Sequence, residues 1–404
     1  MIKKIIGVCV VFALTFSFTF GENTRAVRLE QMTIDEKIGQ MMCLDFRFWN
    51  EEDLKQTENP GIVTDEKVTL QKPVTEINDE IREIIAKYHI GSVILFSQNF
   101  VNPEQSKRLI NNLQEAAVDA GNPRLIIAVD QEGGRVERFA FGREKLKNNA
   151  EIKTAKEAFK KGKTIGRELA ALGINCNFAP VVDVNSNPKN PVINVRSFGD
   201  NAQIVSEFGK KFMDGLHRQN VIATAKHFPG HGDTDVDSHL GLPRVNKTLE
   251  ELKKLELAPF KEMIDAGVDM IMTAHIELPK IENKTFISLK DGSKIFIPAT
   301  LSKTILTYLL RNEMGFDGVI ITDAMNMRVI SDNFEEAEAV KMAIAAGANI
   351  VCMPVILRSK KDIARLDSVF KTAKNAVDSG EIPESQINES VARILKLKDK
   401  YVCS

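Results

Sequence analysis

The chain has 404 residues, 43% of them apolar and 27% charged, with a formal net charge of −1. That length and apolar content suit a globular body with a sizeable core, in one large α/β domain or two smaller ones. The near-neutral balance excludes the basic face that a nucleic-acid or acidic-membrane partner normally requires.

The chain opens with Met1-Ile2-Lys3-Lys4, followed by an uncharged, strongly apolar run from Ile5 to Phe20, and Thr19-Phe20-Gly21 offers the small residues that a signal peptidase reads. The pattern predicts a secretory signal over residues 1–21, with the mature chain beginning near Glu22. An uncleaved anchor is the alternative. Cleavage implies export, periplasmic or extracellular, and no stable membrane insertion afterwards. Beyond this run, Cys43, Cys176 and Cys352 each lie in an apolar strand-like segment and read as buried small hydrophobes. Their spacing and that of Cys403 match no metal motif.

From about residue 28 onward, short apolar runs alternate with polar loops and segments of helical period. The predicted strands are Gly39–Asp45, Ser92–Phe96, Leu125–Asp130, Asn175–Pro180, Val221–His227, Met270–His275, Val319–Asp323 and Asn349–Met353. They are β-branched-rich and do not alternate, as strands buried on both faces should be. Between them, Ile77, Ile81, Ile84, Ile85 and Tyr88 form one helical stripe, and Ile204, Phe208, Phe212 and Leu216 another. Leu252, Leu255 and Phe260 make a third, and Leu301, Ile305 and Leu309 a fourth. Asp200 and Thr248 fit as N-caps, and Pro383 marks the break before a final helix near Glu384–Lys400. Residues 51–73 read as an extended, charged surface loop.

Eight strand–helix units predict a (β/α)8 TIM barrel forming a single catalytic domain over residues 28–404. An open doubly wound sheet competes, but the Gly-rich phosphate loop common after its first strand is missing. In a parallel barrel, chemistry gathers at the C-terminal ends of the strands. Polar residues close several of them: Asp130, Asp183 shortly past Pro180, Lys226-His227, His275 and Asp323. The densest stretch runs from Lys226 to His239 and holds three of the chain's six histidines. Its glycines and proline make it a loop. A metal site is the alternative there, but no HExxH-like helix or nearby cysteine ligand accompanies it.

Those residues carry a resemblance. KHFPGHGDTDVDSH, from Lys226 to His239, is similar to the signature of glycoside hydrolase family 3, in its β-N-acetylglucosaminidase branch. The segments DQEGGRVER from Asp130, NVRSFG from Asn194 and ITDAMNM from Ile321 resemble three more of its motifs. So does the opening KPVTEIND…KYHIGSVILF, from Lys72. The resemblance covers nearly the whole chain from about residue 28, without the second α/β domain of many members.

It implies a retaining glycosidase. Asp323 would be the nucleophile that forms a covalent glycosyl-enzyme, although an N-cap aspartate is common at such a junction. His239 would be the acid/base, oriented and favoured in its charged form by Asp237. Asp130, Arg138, Arg196, Lys226 and His227 would hold the sugar, while Glu132 and Arg135 would belong to a salt-bridge network; His231 and His275 have no assigned role. The expected substrate is an N-acetylglucosamine-containing oligosaccharide or muropeptide, with no metal or cofactor. An N-acetylglucosaminide phosphorylase and an inactive envelope sugar-binding protein are the competing functions.

Overall fold

The computed structural model describes residues 29–50, 71–234 and 242–403. The predicted signal, residues 51–70 of the charged loop, and Asp237 and His239 lie outside the described residues.

Eight parallel strands form the central sheet: β1 (Met42–Asp45), β2 (Ser92–Leu95), β3 (Ile126–Val129), β4 (Cys176–Asn177), β5 (Ile222–Phe228), β6 (Met270–Thr273), β9 (Val319–Ile321) and β10 (Val351–Cys352). Neighbours run in the order β10-β1-β2-β3-β4-β5-β6-β9, and a parallel bridge between Ile321 and Ile350 joins the two ends into a barrel. Every residue of these strands is buried, as the unbroken apolar runs require of a sheet covered on both faces. All eight predicted strands are present; seven are shorter than their apolar runs, and β5 keeps its predicted length shifted by one residue. Cys43 and Cys352 are paired in register across β1 and β10, and Cys43, Cys176 and Cys352 are buried free thiols.

The helices differ from expectation in detail. Asn201, not Asp200, caps the helix Ala202–His217, because its side chain reaches the amides of Gln203 and Ile204. Ile204 is exposed on that helix, whereas Phe208, Phe212 and Leu216 face the core. The third stripe is split between Leu249–Lys254 and Leu257–Asp265; Thr248 caps the first of these with a capping box. The fourth spans a short 3-10 turn, Ala299–Leu301, and a π-helix, Thr304–Glu313. Pro383 precedes the last helix, Glu384–Tyr401. An antiparallel hairpin, β7 (Thr285–Ile287) with β8 (Lys294–Phe296), was not expected. It rises from the loop after β6 and is tied by Ser288 Oγ to Asn333 Oδ1, 2.6 Å.

The two ends of the barrel are built differently. At the N-terminal end, the Asp269 carboxylate accepts from His217 Nε2 at 2.6 Å, Tyr401 OH at 2.8 Å, Lys400 Nζ at 3.1 Å and the Ala223 amide at 3.1 Å. Four donors on one buried carboxylate lock two helices and β5 together. Burial pushes the Asp269 carboxyl up, but these partners outweigh it and hold the carboxyl below its ordinary value. At the C-terminal end the charges are instead shared among several loops, with Lys226 between Asp130 and Glu132.

Candidate active site

The loop after β3 starts at Asp130 and turns back on itself through Gly133 and Gly134, both at positive φ. A Cβ on Gly134 would meet Asn148 Oδ1 at 2.3 Å, so only glycine fits where this turn presses against its neighbour. The turn brings Arg138 back over its starting point, with Arg138 Nη2 3.0 Å from Asp130 Oδ2. Phe96, just past β2, lies under two guanidinium groups: Arg47 at 3.5 Å and Arg138 at 5.2 Å from its ring centre.

Strand β5 supplies the next residues. Its pairing with β6 shifts between Lys226 and Phe228, leaving His227 as the extra residue of a bulge. Alternation along a regular strand would send Lys226 and His227 to opposite faces; the bulge re-aims a side chain at the barrel mouth. Lys226 Nζ lies 2.8 Å from Asp130 Oδ1 and 2.8 Å from Glu132 Oε1. Glu132 in turn binds Arg196 through two bonds, 2.9 Å to Nε and 2.7 Å to Nη2. Arg196 Nη2 is 3.3 Å from His227 Nε2, and His227 Nδ1 is 2.7 Å from Asp183 Oδ2. A guanidinium can only donate, so in the neutral His227 ring the proton sits on Nδ1, toward Asp183.

One continuous network therefore joins Arg138, Asp130, Lys226, Glu132, Arg196, His227 and Asp183. All five predicted sugar-binding residues belong to it. Burial pushes the Asp130 carboxyl up, yet Lys226 and Arg138 outweigh that and draw it down to about 2. Glu132, against Arg196 and Lys226, is likewise held well below the carboxylate range despite its burial. Asp130 and Glu132 thus stay ionised through neutral pH, giving the network fixed acceptors of the kind sugar hydroxyls need.

Glu132, expected only as part of a salt-bridge network, is the hub of this one. Arg135 is not in it; its Nη1 donates to the Pro191 carbonyl at the surface. Asp183 is the functional residue that sequence reasoning left without a role. It accepts from both the ring and the amide of His227 and from the His231 amide at 2.7 Å. Its position past β4 was the available signal. His231 is buried with Nδ1 2.9 Å from Thr234 Oγ1; burial, reinforced by His227, lowers its pKa to about 4, so it is neutral.

Asp323 sits two residues beyond β9, across the mouth. Its Oδ1 accepts the Ala324 amide at 2.7 Å. Burial raises its pKa, but His227, His275, that amide and Lys226 together bring it below the ordinary value. The carboxylate is thus charged at neutral pH, as a nucleophile must be. His275 gains a role here. Its Nε2 is 3.0 Å from the Ala324 carbonyl and its Nδ1 2.9 Å from Thr300 Oγ1, so it fixes the turn that carries Asp323.

The chain is similar to known proteins over most of its length. The family model described as Glycosyl hydrolase family 3 N terminal domain matches residues 33–397. Beta-hexosaminidase A of Pseudoalteromonas piscicida is 40% identical over 380 residues, covering 91% of this chain and 61% of that protein. The beta-hexosaminidase of Tolumonas auensis is 34% identical over 282 residues, covering 68% of this chain and 79% of that protein. A solved glycoside hydrolase family 3 beta-N-acetylglucosaminidase from Paenibacillus superposes with a TM-score of 0.78 at 36% identity, covering 92% of this chain and 63% of that one. The chain therefore spans about three fifths of the length of the P. piscicida and Paenibacillus proteins.

Proposed function

This chain belongs to glycosyl hydrolase family 3, and on that footing we propose that it is a retaining exo-β-N-acetylglucosaminidase acting on terminal β-linked N-acetylglucosamine. The observation that carries the proposal is a charged Asp323 at the same barrel mouth as the network that joins Asp130, Arg138, Arg196, Lys226 and His227. The names of the beta-hexosaminidase relatives support the choice of sugar.

The chemistry follows from these groups. An Asp323 oxygen bonds to the anomeric carbon as the glycosidic bond breaks, and His239 gives its proton to the departing oxygen. His239, now neutral, takes a proton from water; the water oxygen bonds to the anomeric carbon and Asp323 is released. Asp237 orients the imidazole and favours its charged form in the first step. Asp130, Arg138, Arg196, Lys226 and His227 hold the sugar hydroxyls. Every step is acid–base or nucleophilic and uses no cofactor. The substrates are peptidoglycan fragments or chitooligosaccharides.

The test is turnover of a chromogenic aryl β-N-acetylglucosaminide, with and without phosphate. Free N-acetylglucosamine released equally in both is the expected result. A sugar phosphate formed only with phosphate would make the protein a phosphorylase, and sugar binding without turnover would make it an inactive binder. We also propose export, on the strength of the apolar run ending at Thr19-Phe20-Gly21. N-terminal sequencing of protein recovered outside the cytoplasm should then begin near Glu22; the intact Met1 chain in the cytosol would refute it.

A further inference from the structure

We propose that Lys161 is a positioning residue of the sugar site, holding Arg196 in place through Asn149. Lys161 lies on the helix Ala155–Leu172 and is 5% exposed, an unusual fate for a lysine. Among the described residues its Nζ makes one hydrogen bond, to Asn149 Oδ1 at 2.6 Å. Asn149 is buried as well, and its Nδ2 donates to the Arg196 carbonyl at 2.7 Å. Arg196 then carries the connection onward to Glu132 and His227.

The order of donors matters. An asparagine amide can be turned over with little change of shape, exchanging its donor and acceptor ends. An ammonium can only donate, so Lys161 compels Oδ1 to face it and Nδ2 to face Arg196. An apolar side chain would fill the space equally well but would leave Asn149 free to turn its oxygen toward the Arg196 carbonyl, where two acceptors repel. The segment so held needs an anchor. Arg196 ends a 3-10 turn that starts at Asn194, which sits at φ 35°, in the left-handed region that side chains disfavour. Lys161 also backs the turn after β3: a Cβ on Gly133 would come within 2.6 Å of its Cε.

The charge on Lys161 is sensitive to alkali. Burial lowers its pKa to about 8, against the opposing pull of Glu132 and Glu137 from the loop after β3 and of Glu151 from the turn beside Asn149. Above that pH the group becomes an amine, which can accept as well as donate, and the compulsion on Asn149 is lost.

This inference rests on the sugar-site reading above, so its test includes binding as well as turnover. Wild type, Lys161→Met, Asn149→Ala and the double variant are compared between pH 6 and 9.5. The readouts are kcat and KM on the aryl N-acetylglucosaminide and the Kd for N-acetylglucosamine by calorimetry. At pH 7, Lys161→Met should raise KM and Kd about tenfold, the worth of one charge-assisted hydrogen bond, with kcat changed much less. The double variant should be no worse than either single one, because both cut the same chain. Wild-type Kd should rise above pH 8, and that rise should vanish in Lys161→Met.

Wild-type Kd in Lys161→Met with the same pH profile would overturn the proposal, as would losses that multiply in the double variant. Should Lys161→Met fail to fold, an unchanged Kd in Asn149→Ala overturns it equally. A wild type that binds the sugar without turning it over would sink the hydrolase reading, while the Kd series would still decide this one. A wild type that binds no N-acetylglucosamine would overturn both.

Discussion

Asp323→Ala is expected to lower kcat/KM for an aryl β-N-acetylglucosaminide by about four orders of magnitude, roughly 5.5 kcal/mol of lost transition-state stabilisation. The carboxylate is asked to do two things that alanine cannot: attack the anomeric carbon and carry the sugar between the two steps. The fold should survive. Among the described residues the hydrogen bond of Asp323 is local, from the next amide, while His275 holds the turn through the Ala324 carbonyl, which alanine leaves in place. Thermal unfolding within a few degrees of wild type, together with the rate loss, is the expected pair of results. Activity near wild type would remove Asp323 from the mechanism.

His239→Ala should divide substrates by their leaving groups. A poor alkoxide leaving group needs a proton as it departs, so a natural disaccharide should lose about a thousandfold in kcat/KM. An activated aryl group departs without help, so its first step suffers far less. The second step still needs a base for water, and the glycosyl-enzyme should build up, seen as a burst of phenol followed by slow turnover. Asp237→Asn should do the same more weakly, because the ring remains and loses only its orienting partner. The measurement is a pair of rates, aryl glycoside and disaccharide, for wild type and both variants. Equal losses on the two substrates without a burst would place the proton donor elsewhere on the loops around the mouth.

Much of the fold was legible because burial on both faces leaves a plain mark. The run MCL before Asp45 and the run VII before Thr322 are apolar throughout, and both lie in barrel strands. The hairpin Thr285–Ile287 with Lys294–Phe296 left no such mark. Its strands are only three residues each, too short to show a period, although Phe286 and Ile295 turn toward the core. The cap at Asn201 was misplaced by one residue because Asp200 and Asn201 are both good capping types, and only backbone geometry chooses between them.

The site was legible as a set of residues but not as a network. Asp130, Arg138, Arg196, Lys226 and His227 could be picked out by motif, and all five meet at the mouth. Which carboxylate binds which cation depends on how far each loop folds back. That concealed Glu132 as the partner shared by Arg196 and Lys226, and Asp183 as the residue that orients His227. Lys161 was invisible for a further reason. It lies within a long helix rich in lysine, where a solvated side chain is the ordinary expectation, and only tertiary packing turns it inward.

The covalent intermediate is the claim on which the rest depends, and trapping it is the most direct measurement. The protein would be incubated with a slow-turnover fluorinated N-acetylglucosaminyl donor, then weighed intact and after digestion by mass spectrometry. A retaining enzyme acting through Asp323 should gain the mass of one glycosyl unit, located on the peptide that contains Asp323 and absent from Asp323→Ala. An unchanged mass while product forms with inverted configuration, or an adduct on a different peptide, would contradict the account.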